Sequence, residues 1–245
     1  MKTPCRELDP VPAGAMERWG VACLLAVPLL AAVMDMLRMW SEGDGAITGG
    51  IGEPEAGARA LASVAACPGP MAAATILAFA TAFVAIPALP AIWRLTRPGL
   101  PVLAVVLAAV GSCFVLGRVI HTCVYFTWTL FMATRLPLEQ AVGIDSEMNG
   151  FWPVNMVIVP TILGLVLWLP LLAVALYRAG RIPLWAMILI LVVNVALIVL
   201  GSSYATAVAM GLGTLIGLLP LARGALDPSP AASPDRRAPA RPSLP

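Results

Sequence analysis

Charge is scarce in this sequence: Asp, Glu, Lys and Arg make up 11% of its 245 residues, while 60% are hydrophobic. An average soluble domain is about a quarter charged and about half apolar, so a water-soluble fold could not hide this excess. Histidine and lysine are scarcer still, each occurring once, as His121 and Lys2. A lone histidine cannot supply a bis-histidine haem or the multi-histidine iron centre of membrane oxygenases. The five cysteines, Cys5, Cys23, Cys67, Cys113 and Cys123, form no CxxC pair, which excludes the usual zinc and haem-attachment patterns. Neither a metal nor a cofactor is expected. A formal net charge of +2 offers no basic face to a nucleic acid, and nucleic-acid binding is excluded with it. Arginine in place of lysine, beside abundant alanine, reads as the coding bias of a high-GC bacterial genome.

What is present is apolar sequence of spanning length. Crossing about 30 Å of hydrocarbon takes about 20 helical residues. Six charge-poor segments reach that length, at residues 19–40, 71–93, 101–125, 153–177, 182–200 and 202–221. The expected fold is all-α: a polytopic membrane protein whose six-transmembrane-helix bundle occupies residues 18–222, between tails 1–17 and 223–245. The first segment runs through MDMLRMW to full length without a small-x-small cleavage site, so it reads as an uncleaved helix rather than a signal peptide. The last two are separated by GSSY, and no charge lies between Arg181 and Arg223, which leaves room for two spans joined by a tight hairpin. Pro28, Pro87, Pro90, Pro160 and Pro170 predict kinks in the first, second and fourth helices.

Arginine and lysine set the orientation. They fall in the N-terminal tail (Lys2, Arg6, Arg18), in the second connection (Arg94, Arg97), in the fourth (Arg178, Arg181) and in the C-terminal tail from Arg223 onward. The first and third connections are acidic, through residues such as Glu42, Asp44, Glu139 and Asp145. Both termini are therefore expected in the cytoplasm of a cell whose plasma membrane, a bacterial inner membrane, holds the chain. Trp19, Trp93 and Trp185 at one level and Trp40, Trp128 and Trp152 at the other fit the two headgroup belts, with Trp168 alone inside a span. The proline- and serine-rich C-terminal tail predicts disorder, as does the N-terminal tail up to Gly14. EPEAGARALASVAA in the first connection predicts a short surface helix.

Small residues at fourfold spacing let membrane helices approach closely, and the sixth segment carries Ala205, Ala209, Gly213 and Gly217 in one stripe. Ala104, Ala108 and Ser112 stand in the same relation on the third, which makes the two segments candidate neighbours. The inner hairpin ALYRAGRIPLWAMILI, from Ala175 to Ile190, resembles the fourth-to-fifth helix junction of uncharacterised six-helix bacterial membrane proteins. That resemblance implies a fold and carries over no activity and no functional residue.

Depth singles out one group of polar residues. At 1.5 Å per residue, Asp35 lies about 25 Å outward of Arg18, and Arg118 about as far outward of Pro101. An ionised side chain in a bilayer costs roughly 2.5–3.5 kcal/mol at the centre and less toward the interface, so opposite charges at one level are expected to pair. The candidate intramembrane cluster is Asp35 with Arg118, joined by Arg38 and His121 one turn further out and by Tyr125 or Tyr204. It reads either as a structural clamp or as a substrate or proton site. Asn194 in the fifth segment is expected to be interhelical glue.

Two motifs bear on catalysis or metal binding. DSEMNG, from Asp145 to Gly150, imitates the first half of a calcium loop but has Met156 where the twelfth-position acid belongs. Gly201, Ser202 and Ser203 with His121 resemble the serine and histidine of rhomboid intramembrane proteases, but in reversed order and with Tyr204 in place of their glycine. The function expected is non-catalytic, exerted through the lipid bilayer or outer connections on a membrane-protein partner or a second copy. The alternatives are a small secondary transporter or channel using the polar cluster and, more remotely, a Ser/His hydrolase. Orientation is testable with thiol chemistry: an impermeant maleimide should label Cys67 on intact cells and Cys5 only after lysis, and the reverse pattern would invert every assignment.

Overall fold

A computed structural model of the chain describes residues 14–43 and 54–226. The N-terminal tail, the glycine-rich part of the first connection and the C-terminal tail beyond Leu226 lie outside the described residues, and so do the expectations of disorder placed on the tails. Within them every regular element is helical. In order they are α1 (Ala15–Glu42), α2 (Pro54–Ala66), α3 (Pro68–Ala85), α4 (Ala88–Thr96), α5 (Pro101–His121), a π-helical turn (Thr122–Thr127), α6 (Trp128–Arg135), α7 (Leu138–Gly150), α8 (Trp152–Arg178), α9 (Leu184–Leu200) and α10 (Tyr204–Leu226).

Among the described residues, four helical stretches are long and apolar enough to cross a membrane: Ala15–Glu42, Pro68–Thr96, Pro101–Arg135 and Tyr204–Arg223. Val166–Arg178 and Leu184–Leu200 are shorter apolar helices. Local chemistry explains the boundaries. Proline opens α3, α5 and α8 at a first-turn position whose N–H has no partner to lose. α8 closes in a Schellman turn, with Gly180 at φ 67°, Arg181 N–H donating to Leu176 C=O at 2.8 Å and Gly180 N–H to Tyr177 C=O at 2.9 Å. Pro183 then caps α9, which accounts physically for the RAGRIP pattern of the inner hairpin. Pro87 coincides with a break between α3 and α4, whereas α1 and α8 run through Pro28 and Pro170 without interruption. Inside the helices, the hydroxyls of Thr75, Thr81, Thr96, Thr122 and Thr134 donate to carbonyls four residues back, so they need no water.

The long elements close into a ring. α1 packs on α3 and α4, these on α5, α5 on α8, α8 on α9, α9 on α10, and α10 back on α1. One end of the ring is filled by apolar side chains including Leu24, Ile92, Phe114, Trp168, Leu172 and Leu218. At the other end Met34, Met71 and Phe126 meet Val64 of α2. There α2, α6 and α7 form a cap around Leu61, Met132 and Ala141. The predicted surface helix is thus a helix, packed into this cap. The third connection is helical too, as α6 and α7. Ile76, Phe83, Val102, Leu116, Val192 and Val199 are exposed on the outside of the ring, as suits a hydrocarbon surround.

The expected pairing of the third and sixth segments is corrected. α5 packs on α8, while α10 packs on α1 and α9. The small-residue stripe of α10 divides: Gly213 and Gly217 meet Val193 and Ile190 of α9, but Ala205 and Ala209 are exposed. The close approach of α5 relies on glycines outside its predicted stripe. A Cβ on Gly111 would lie 2.3 Å from the Trp168 ring, and one on Gly164 would lie 2.8 Å from the Phe114 backbone. Gly164→Val should therefore lower detergent-solubilised stability by about 1–3 kcal/mol, because backbone cannot yield as a side chain can. Gly143→Ala, where nothing lies within 4 Å, should be neutral or stabilising; equal thermal shifts for the two would contradict this packing.

Candidate functional site

On α1, Asp35, Arg38 and Glu42 stand at i, i+3 and i+7, which places them on one face. Arg118, His121 and Tyr125 repeat that spacing on α5 and the π turn. α1 and α5 do not pack backbone to backbone, because α3 and α4 lie between them around the ring. Long polar side chains bridge the interior gap. Arg38 Nη1 donates to Glu42 Oε2 at 2.8 Å, and Arg38 Nε lies 3.7 Å from Asp35 Oδ1. From the far side Tyr125 Oη donates to Glu42 Oε1 at 2.7 Å. Glu42, 2% exposed, therefore has both oxygens engaged. The wide turn at Thr122–Thr127, whose Thr127 hydroxyl bonds the Thr122 carbonyl at 3.1 Å, sets Tyr125 at that reach. Such π turns recur at functional sites.

His121 stacks on Tyr125, ring centroids 5.3 Å apart and planes 6° from parallel, and meets Phe126 edge-on. Arg118 is 6% exposed, and its Nε has no hydrogen-bond partner. One helical turn before Arg118, Phe114 stacks on buried Trp168 of α8, ring centroids 5.9 Å apart.

The expected Asp35–Arg118 ion pair is not formed among the described residues. Asp35 turns to Arg38 on its own helix, which it reaches without crossing the gap. Asp35, Arg38, Arg118, His121 and Tyr125 are brought into one layer. Tyr204, 44% exposed at the start of α10, takes no part in the layer's hydrogen bonds or ring contacts. Glu42 is the residue that sequence reasoning missed: it was counted with the outer acidic connection, although it lies four residues beyond Arg38, a helical ion-pair spacing.

Asn194 is buried, as the glue reading requires, but its Oδ1 has no hydrogen-bond partner. Ser203 serves as a helix cap: its hydroxyl accepts from Thr206 N–H at 3.1 Å and lies 3.0 Å from the Thr206 hydroxyl. His121 stacks on Tyr125 and meets Phe126 edge-on, and among the described residues no hydrogen bond joins it to Ser202 or Ser203. DSEMNG lies within α7, where a helix cannot wrap its carboxylates around a cation. Comparison with protein-family models, curated proteins and solved structures finds no match.

The Tyr125–Glu42 bond is measurable by a double-mutant cycle. Tyr125→Phe and Glu42→Gln should each destabilise the solubilised protein, with a coupling of about 1–2 kcal/mol after allowance for the partial exposure of Tyr125. Tyr204→Phe should show none with Glu42→Gln, and strict additivity at Tyr125 would remove the bond from the account.

Proposed function

We propose that this chain is a six-helix plasma-membrane protein, with both termini cytoplasmic, that works as a small non-enzymatic transporter or channel whose solute site is the polar layer between α1 and α5. In this reading α8, at 27 residues, and α9, at 17, are the two further crossings beside the four long apolar stretches. At 1.5 Å per residue they measure about 40 Å and about 25 Å. The α9 length suits a thinner or locally adjusted bilayer.

The observation that carries the functional reading is the placement of four ionisable side chains, with histidine and tyrosine, between helices whose backbones do not pack on each other. Ionisable groups inside an apolar bundle are expensive enough to suggest a use. The Phe114–Trp168 stack on one side and the α2–α6–α7 cap on the other supply the two closures that an alternating site needs. A second reading, action on a partner protein, is favoured by Trp128 and Phe131, which stack at 5.5 Å and stand partly exposed on α6.

Stopped-flow light scattering of proteoliposomes against small anionic, neutral and cationic solutes tests the proposal. At least one solute should cross faster than in empty vesicles. Glu42→Gln should abolish that difference and Trp168→Ala should raise leakage. Rates equal to empty vesicles across the whole panel, with a membrane protein copurifying, would favour the partner reading.

A further inference from the structure

The two arginines of the polar layer are not equivalent. Arg38 is served by two carboxylates, Glu42 at 2.8 Å and Asp35 at 3.7 Å. Arg118, more deeply buried, forms no ion pair among the described residues, and its Nε has no hydrogen-bond partner. A guanidinium carries five N–H donors and no acceptor, and it stays charged in proteins, so it cannot escape burial by losing its proton. We infer that Arg118 anchors a binding site for a small oxyanion between α1 and α5, and, resting on the transport reading above, that this anion is the cargo.

The chemistry follows from the donors. A planar carboxylate or an equivalent oxyanion takes Nε–H and one Nη–H side by side, in the bidentate geometry that guanidinium favours. A cation would be repelled by the unpaired Arg118, and a neutral solute would leave its charge unanswered. Asp35 is the internal competitor. Its carboxylate lies 3.7 Å from Arg38 Nε on its own helix, and its negative charge opposes an incoming anion. The Nε is enclosed as well as unpartnered, with the Phe114–Trp168 stack one turn inward, so the site is shut in this conformation and loading requires the bundle to open.

The test is a formate titration of the purified full chain in neutral detergent, read as the thermal unfolding midpoint. Wild type should rise saturably, and Arg118→Gln should lose the response. Asp35→Asn should reach half-effect at about tenfold lower formate, since one opposing charge is removed. The gain at Asp35 keeps the proposal falsifiable if Arg118→Gln does not fold: a merely structural arginine predicts no gain there. Equal formate responses in wild type and Arg118→Gln, or an unchanged or weakened response in Asp35→Asn, would overturn the inference. Repeating the titration in nanodiscs with phosphatidylglycerol identifies the source of the oxyanion. A formate response that persists supports a free solute. A response replaced by Arg118-dependent stabilisation from the lipid gives the site to a headgroup phosphate and overturns the cargo assignment. Solute flux without a formate response would retain the transport reading and lose the anion, whereas a formate response without flux would do the opposite.

Discussion

Glu42 at the end of α1 takes Arg38 on one carboxylate oxygen and Tyr125 on the other, and the capped end of the molecule is arranged around that double engagement. A carboxylate removed from water is costly unless its lone pairs are answered, and an apolar bundle offers few donors to answer them. The donors come from two helices that do not themselves touch, so the interaction holds α1 and the π turn at a fixed separation.

The remaining order follows from apolar packing that places no polar group at risk. Glycine faces at Gly20, Gly111 and Gly164 let neighbouring elements approach to distances that a Cβ would forbid. The hydroxyls of Thr75, Thr81, Thr96, Thr122 and Thr134 return to their own helices and are satisfied there. The exceptions are Arg118, Asn194, Thr214 and Ser41, each with a buried polar atom lacking a partner. Such atoms are few in native proteins, and each calls for a reason. Two of them, Arg118 and Ser41, belong to the segments that carry the polar layer.

Much of this was legible in the sequence for a plain reason: hydrocarbon tolerates helix and little else, so length and apolarity nearly determine the element type. Rise per residue singled out Asp35, Arg38, Arg118, His121 and Tyr125 from the sequence as polar groups within apolar segments. Partner choice was not legible. Asp35 could turn to its own helix or to another, and only the width of the α1–α5 gap decides for Arg38. The α10 stripe misled for a related reason, since spacing shows that a face is smooth but not which helix lies against it. Glu42 was hidden by its neighbours: beside a glycine-rich acidic stretch it looked like solvent-exposed loop, although α1 continues through it. The cap escaped notice because α6 and α7 are amphipathic only relative to α2, a partner many residues away.

The wide turn at Thr122–Thr127 has a geometric consequence for everything that follows it. Removing one residue there would restore ordinary helix and rotate the continuation by about 100°. Met132 would then swing out of the cluster it shares with Leu61 and Ala141, and the exposed pair Trp128 and Phe131 would be turned toward different surroundings. The irregular turn acts as a phase-setting joint, and its single surplus residue lets one continuous rod serve the polar layer with its first half and the cap with its second.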